Sequence, residues 1–79
     1  MDHQAVLEFV YDDPDSATLV EASVAQELDE IDGDRTHARL DRDDATLSMT
    51  IDAADPVALR AGMTTWTTLV EVAERVGGI

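Results

Sequence analysis

The sequence predicts an α+β chain of element order β-α-β-β-α, with a three-stranded antiparallel sheet in the order 1-3-2 and both helices on one face. Three observations carry this. Apolar and polar residues alternate over residues 4–11, 35–41 and 46–52, the two-residue period of a half-buried strand. Two acid–proline steps, Asp13-Pro14 and Asp55-Pro56, each open a stretch of helical periodicity. A right-handed crossover from the first strand through the first helix to the second leaves the third strand a place between them.

The first strand puts Ala5, Leu7, Phe9 and Tyr11 on one face and Val6, Glu8 and Val10 on the other. Asp13 caps the first helix, expected from Pro14 to about Leu28, with Ala17, Val20, Val24 and Leu28 as its core stripe. Residues 29–34 read as an acidic connector containing Gly33. The second strand turns Thr36, Ala38 and Leu40 inward and Arg35, His37 and Arg39 outward. A tight reversal is expected at Arg42-Asp43-Asp44. The third strand buries Leu47, Met49 and Ile51 and exposes Ser48, Thr50 and Asp52. Ala53-Ala54 leads into the last helix, capped by Asp55 and leaving through a left-handed Gly77.

That last helix is about 32 Å long at 1.5 Å per residue, the width of a small domain. Its stripe of Leu59, Met63, Trp66, Val70 and Ala73, flanked by Gly62 and Leu69, suffices to seal the sheet. A second arc of Ala58, Ala61, Thr65, Val72 and Val76 is left over, and Leu19, Ala22 and Ser23 form a weaker spare patch on the first helix. The arrangement is a ferredoxin-like plait without its fourth strand. The missing strand would have paired with the first, so Leu7, Phe9 and Val10 mark an open, apolar edge. Sheet proteins rarely leave such an edge bare. Pairing with a twofold copy would make a six-stranded sheet.

Seventy-nine residues form one expected domain, spanning residues 1–79, small enough to gain from association. The absence of cysteine removes disulfides, thiolate catalysis and cysteine-based zinc sites. No basic, apolar leader follows Met1, and no apolar run approaches a membrane span, so a cytoplasmic protein is expected. Eighteen acids face five bases, all arginine, for a net charge of −13. Acids spread along the whole chain suit molar salt, where the Debye length falls to about 3 Å, and a halophilic origin is expected. The same deficit of positive charge argues against free-standing nucleic-acid binding.

Catalytic constellations are missing from the pattern. Ser16, Ser23 and Ser48 lie in no nucleophile elbow, and His3 and His37 lack metal-ligand spacing. Asp41, Asp43 and Asp44 resemble part of a calcium loop but lack its glycine and final glutamate. Arg35, His37 and Arg39 share a sheet face with Glu8 and offer either an RNA backbone contact or solvated ion pairs. Arg60 sits in the first turns of the last helix, against the dipole. It calls either for a specific carboxylate or phosphate partner or for a surface pair with Asp13 or Asp55. No catalytic, cofactor or metal site is expected, and surfaces for other proteins remain. The competing reading is a free-standing ferredoxin-like dimer that holds a small metabolite among groups such as Arg60, Thr64 and Thr67.

The segments AVLEFVYDDPDSATLVEASVAQELDE and IDAADPVALRAGMTTWTTLVEVAERV, on either side of a hairpin, resemble the small Pcc-type subunit of the KEOPS (or EKC) complex. The likeness rests on the alternating first strand that runs into an acid–proline helix start at residues 11–15. It rests also on the acid-ended strand before the second helix at residues 51–56, and on Leu59-Arg60-Ala61. The chain departs from the family in Thr64-Thr65, where an Asn-Ser pair is common, so no amide side chain is offered there. The resemblance implies a haloarchaeal, non-catalytic dimerisation subunit without a cofactor. Its complex makes N6-threonylcarbamoyladenosine at position 37 of tRNA. The implied partners are a second copy and the metal-dependent threonylcarbamoyl-transferase subunit, with tRNA held through the complex. Leu19, Ala22, Ser23, Arg60, Ala61, Thr65 and Val72 are the implied partner-binding residues.

Overall fold

The computed structural model describes residues 2–28 and 35–79, so the connector expected at residues 29–34 lies outside the described residues. Strand β1 (His3–Val10) is followed by helix α1 (Pro14–Ala25), strands β2 (Thr36–Asp43) and β3 (Thr46–Ala53), and helix α2 (Pro56–Val76). The sheet order is β1-β3-β2, and both neighbour pairs are antiparallel, as the alternation and crossover argument predicts. Both helices pack on the same face, with α2 touching all three strands and α1.

Register explains the two faces. Ala5, Ile51 and Ala38 form one inward cross-strand row, and Leu7, Met49 and Leu40 form the next. Leu47, Met49 and Ile51 on the central strand are fully buried beneath Val20, Val24, Trp66 and Val70. No polar side chain among the described residues is buried, so the core gains its stability from apolar area alone, at about 25 cal/mol per Å² removed from water.

Both caps form as their residues dictate. Asp13 accepts from the Ser16 amide at 2.7 Å and Asp55 from the Ala58 amide at 2.8 Å, each worth about 1 kcal/mol. Helix α1 stops at Ala25, three residues short of expectation, though Leu28 still packs on the core. Arg42 and Asp43 belong to β2, and the reversal is the two-residue turn Asp44-Ala45 between the paired Asp43 and Thr46. Asp44 takes a left-handed φ of 57°, which a short polar side chain tolerates better than most. Arg42 keeps the inward parity of its strand and donates from Nε to Glu21 of α1 at 3.0 Å. At the end of α2, Gly77 is right-handed at φ −79° and Gly78 makes the left-handed exit at φ 73°.

Helix α2 lies close on the sheet because Gly62 carries no side chain. A Cβ there would sit 3.2 Å from Cγ2 of Ile51 and 3.8 Å from Cγ2 of Thr36. Ala58, assigned from sequence to the spare arc, is buried with Gly62 on the same side of the helix, and Leu59 and Met63 are only half-buried. The contact stripe is thus turned toward the smaller residues, which lets the helix come closer. Tyr11 ties the far end. Its amide donates to Ala45 O at 2.9 Å and its hydroxyl to Oε2 of Glu74 at 2.6 Å. Burial first, and then the hydrogen bond and charge of Glu74, push the Tyr11 hydroxyl well above the ordinary value of 10.0.

Two outcomes are expected. Gly62→Val should cost about 1–3 kcal/mol through overpacking against Ile51, whereas Gly62→Ala regains about 1 kcal/mol of helix propensity and should sit near neutral. Thermal midpoints decide this, and an unchanged midpoint for the valine variant would show that Ile51 yields. Tyr11 is the sole tyrosine, so its ultraviolet titration is residue-specific. Because its folded pKa is raised, its contribution to stability is complete below the unfolded value near 10 and is lost as pH rises further. Tyr11→Phe should flatten that alkaline loss, and a tyrosinate band appearing at the ordinary pH in the folded protein would contradict the bond.

Candidate protein-interaction surfaces

Residues that carry reactive chemistry are kept apart. His3 lies half-buried in β1, whereas His37 sits exposed on β2, two strands away on the opposite side of the sheet. Ser48 stands in a row with Glu8 and Asp41 on the open face, while Ser16 sits in the first turn of α1 and Ser23 faces outward on the same helix. No group of three or more histidine or acidic side chains suited to a metal ion occurs among the described residues. No helix among them is long and apolar enough to cross a membrane.

The open face of the sheet gathers the β2 bases and supplies their counter-charges. Asp52 accepts from Nε2 of Gln4 at 2.8 Å and lies 3.7 Å from Nη2 of Arg39. Arg35 pairs with Asp55. Of the two roles open to this trio, solvated ion pairing is what the geometry contains for both arginines. Arg60 differs. Asp55 is engaged by Arg35 and by the helix cap, and Arg60 has no hydrogen bond or ion pair among the described residues. It lines a shallow hollow with Pro56 and Val57 at the start of α2.

The helical layer presents the larger apolar surface. Helices α1 and α2 run antiparallel, with Cδ2 of Leu19 lying 2.6 Å from where a Gly77 Cβ would be. Ala22, Ser23, Ala61 and Thr65 are exposed, and Leu19 and Val72 are each 45% exposed. A groove of about 190 Å³ runs between the helices, lined on one side by Ser23, Val24 and Glu27 and on the other by Leu69, Val72 and Val76. The structure therefore brings Ser23 and Val72 together. Leu19 lies farther along, at the end of α2. Ala61 and Thr65 continue the Val72 stripe toward the start of α2, outside the groove, and Arg60 stands apart beside its hollow. Sequence reasoning passed over Glu27 and the groove position of Leu69. The spacing of Glu27 four residues after Ser23 was the available signal.

Strand β1 offers the second surface. It pairs with β3 along one side, and its other side carries no partner strand among the described residues. Leu7 and Phe9 point under the helices and pack on the core. Val10 is 76% exposed and Val6 57%, both on the open face and separated by Glu8. The edge thus combines free backbone groups with two exposed aliphatic side chains, the composition that favours strand addition.

Comparison with known proteins gives a consistent result. Ten solved chains match the structure. One is a crystal structure of a binary Gon7–Pcc1 complex, similar at TM-score 0.84 over 98% of this chain and 94% of that one, with 14% sequence identity, a likeness of fold. No match is found among curated protein sequences. A family model, Pcc1, described as transcription factor Pcc1, matches residues 4–77. Since that match takes in all but the first residue of the described strands and helices, the chain belongs to the Pcc1 family.

Proposed function

We propose that this chain is a KEOPS-associated scaffold subunit that works by binding other proteins and performs no catalysis. The family match over residues 4–77 carries the reading. The geometry supports it in two places, since a strand edge unpaired among the described residues and an exposed helix pair give the protomer two separate surfaces. In this reading β1 pairs with its twofold copy through Leu7, Phe9 and Val10, extending the sheet to six strands. Helices α1 and α2 receive helices of the threonylcarbamoyl-transferase subunit at Leu19, Ala22, Ser23, Arg60, Ala61, Thr65 and Val72. One solved match comes from a binary complex of Gon7 and Pcc1, which accords with a fold that presents an edge or face to a partner.

Support for tRNA modification would come through the assembly, by bringing two transferase units together with tRNA at their active sites. The net charge of −13 leaves little electrostatic attraction for tRNA in the subunit by itself. The same charge, spread over the whole chain, is read as adaptation of an archaeal cytoplasmic protein to high salt.

The helix face is tested by Ala61→Arg and Val72→Asp. Both positions are exposed, so both variants should fold and keep the dimer mass while losing copurification with the transferase subunit in molar salt. Unfolding of either variant would assign the position to the core, and retained copurification would move the docking site elsewhere. Solution scattering at micromolar protein should give twice the protomer mass. A monomer under those conditions would overturn the β1 pairing.

A further inference from the structure

We propose that Glu27 selects the helix that docks between α1 and α2, requiring a Lys or Arg beside that helix's apolar stripe. The inference rests on the scaffold reading and goes beyond it by stating the chemistry of the partner. Among the six groove residues named above, Glu27 alone is charged. It is half-buried, and its side chain has no hydrogen bond or ion pair among the described residues. This sets it apart from Glu21, which meets Arg42 at 3.0 Å, and Glu74, which receives the Tyr11 hydroxyl at 2.6 Å.

A second source of negative potential coincides with it. Helix α1 ends at Ala25 with no basic residue in its last turn, so the roughly half-unit negative charge of its C-terminus is uncompensated within the helix. Glu27 lies two residues beyond that end, its own amide donating to Val24 O at 3.0 Å. Helix α2, by contrast, carries Arg75 in its last turn. The mouth of the groove is therefore apolar along Val24, Leu69, Val72 and Val76 and anionic at one end.

An entering helix covers that carboxylate and removes its water. Burying a charge without a counter-charge is strongly unfavourable, so an occupant lacking a cation there is rejected. A guanidinium or ammonium over Glu27 recovers the loss as a charge-assisted hydrogen bond and also complements the end of α1. The apolar wall supplies affinity, and the carboxylate supplies orientation and choice of partner. A second copy of this acid-rich chain fits this site poorly, since its five arginines are opposed by eighteen acids.

The test measures binding of the threonylcarbamoyl-transferase subunit from the same organism to the full chain in molar salt, where pairing of a desolvated charge survives screening better than surface attraction. Glu27→Gln should raise Kd about tenfold, the usual scale for losing one charge-assisted contact. Asp41→Asn removes an equal charge from the open sheet face and should leave Kd within about twofold, since only remote, screened attraction is lost. Glu27→Lys should abolish binding, and exchanging the facing Lys or Arg of the transferase for Glu should restore it. Equal effects of Glu27→Gln and Asp41→Asn would overturn the proposal. Loss of binding in Val72→Asp with no change in Glu27→Gln would leave the scaffold reading intact and remove only the cation. Absence of binding by the unaltered chain would end both, and a change in dimer mass on Glu27→Gln would make a second copy the occupant.

Discussion

The close seating of α2 on the sheet is the contact on which everything else depends. A helix of 21 residues spans nearly the whole 35 Å long axis of the molecule. It must lie flat over three strands of eight residues each, and a bulky residue facing Ile51 a third of the way along it would lever it off. Gly62 against Ile51 removes that lever, and Trp66, one turn later and 2% exposed, fills the space that the descent creates. Ala58 on one side and Val70 and Ala73 on the other continue the contact. Among the described residues the core is then complete without any polar side chain, and the remaining apolar residues of both helices face outward.

That division makes the protomer two-sided in a useful sense. Leu7 and Phe9 help anchor β1 to the core, so the strand holds its register on β3 while its other edge has no partner strand among the described residues. Val72 and Val76 stand outside a core that does not need them, so they are available for binding at little cost to stability. Tyr11 joins the two regions by hydrogen-bonding Glu74 near the end of α2, and Arg42 to Glu21 fastens the hairpin to α1 in the same manner. Both links lie at the margins of the sheet, where partly exposed polar groups can be satisfied without entering the core.

Much of this architecture is written in local pattern. The alternations that end at Tyr11 and span Leu47 to Ile51 give the strands, and the two acid–proline steps give the helix starts to the residue. What local pattern misses has physical causes. Arg42-Asp43-Asp44 looks like a turn by composition, yet Asp43 pairs with Thr46 and Arg42 has a tertiary partner in Glu21, which lengthens β2 by two residues. Either of two adjacent glycines could take the left-handed exit from α2, and the choice falls on Gly78. Ala58 is small enough to suit either side of its helix, and only the descent at Gly62 decides. The spare helix patches are legible as excess apolar circumference. Glu27 acquires its character only when α1 meets α2, because a half-buried glutamate beyond a helix end looks like any other surface acid in a chain with eighteen of them.

The enclosure of Trp66 has a practical consequence for anyone following this protein by light. It is the sole indole of the chain and sits within the core, shielded from water before any partner binds. Its emission will report loss of the core with a large red shift, while association at either surface leaves the spectrum nearly unchanged. Intrinsic fluorescence is thus a clean gauge of folding and a blind one for assembly, which calls for an extrinsic label.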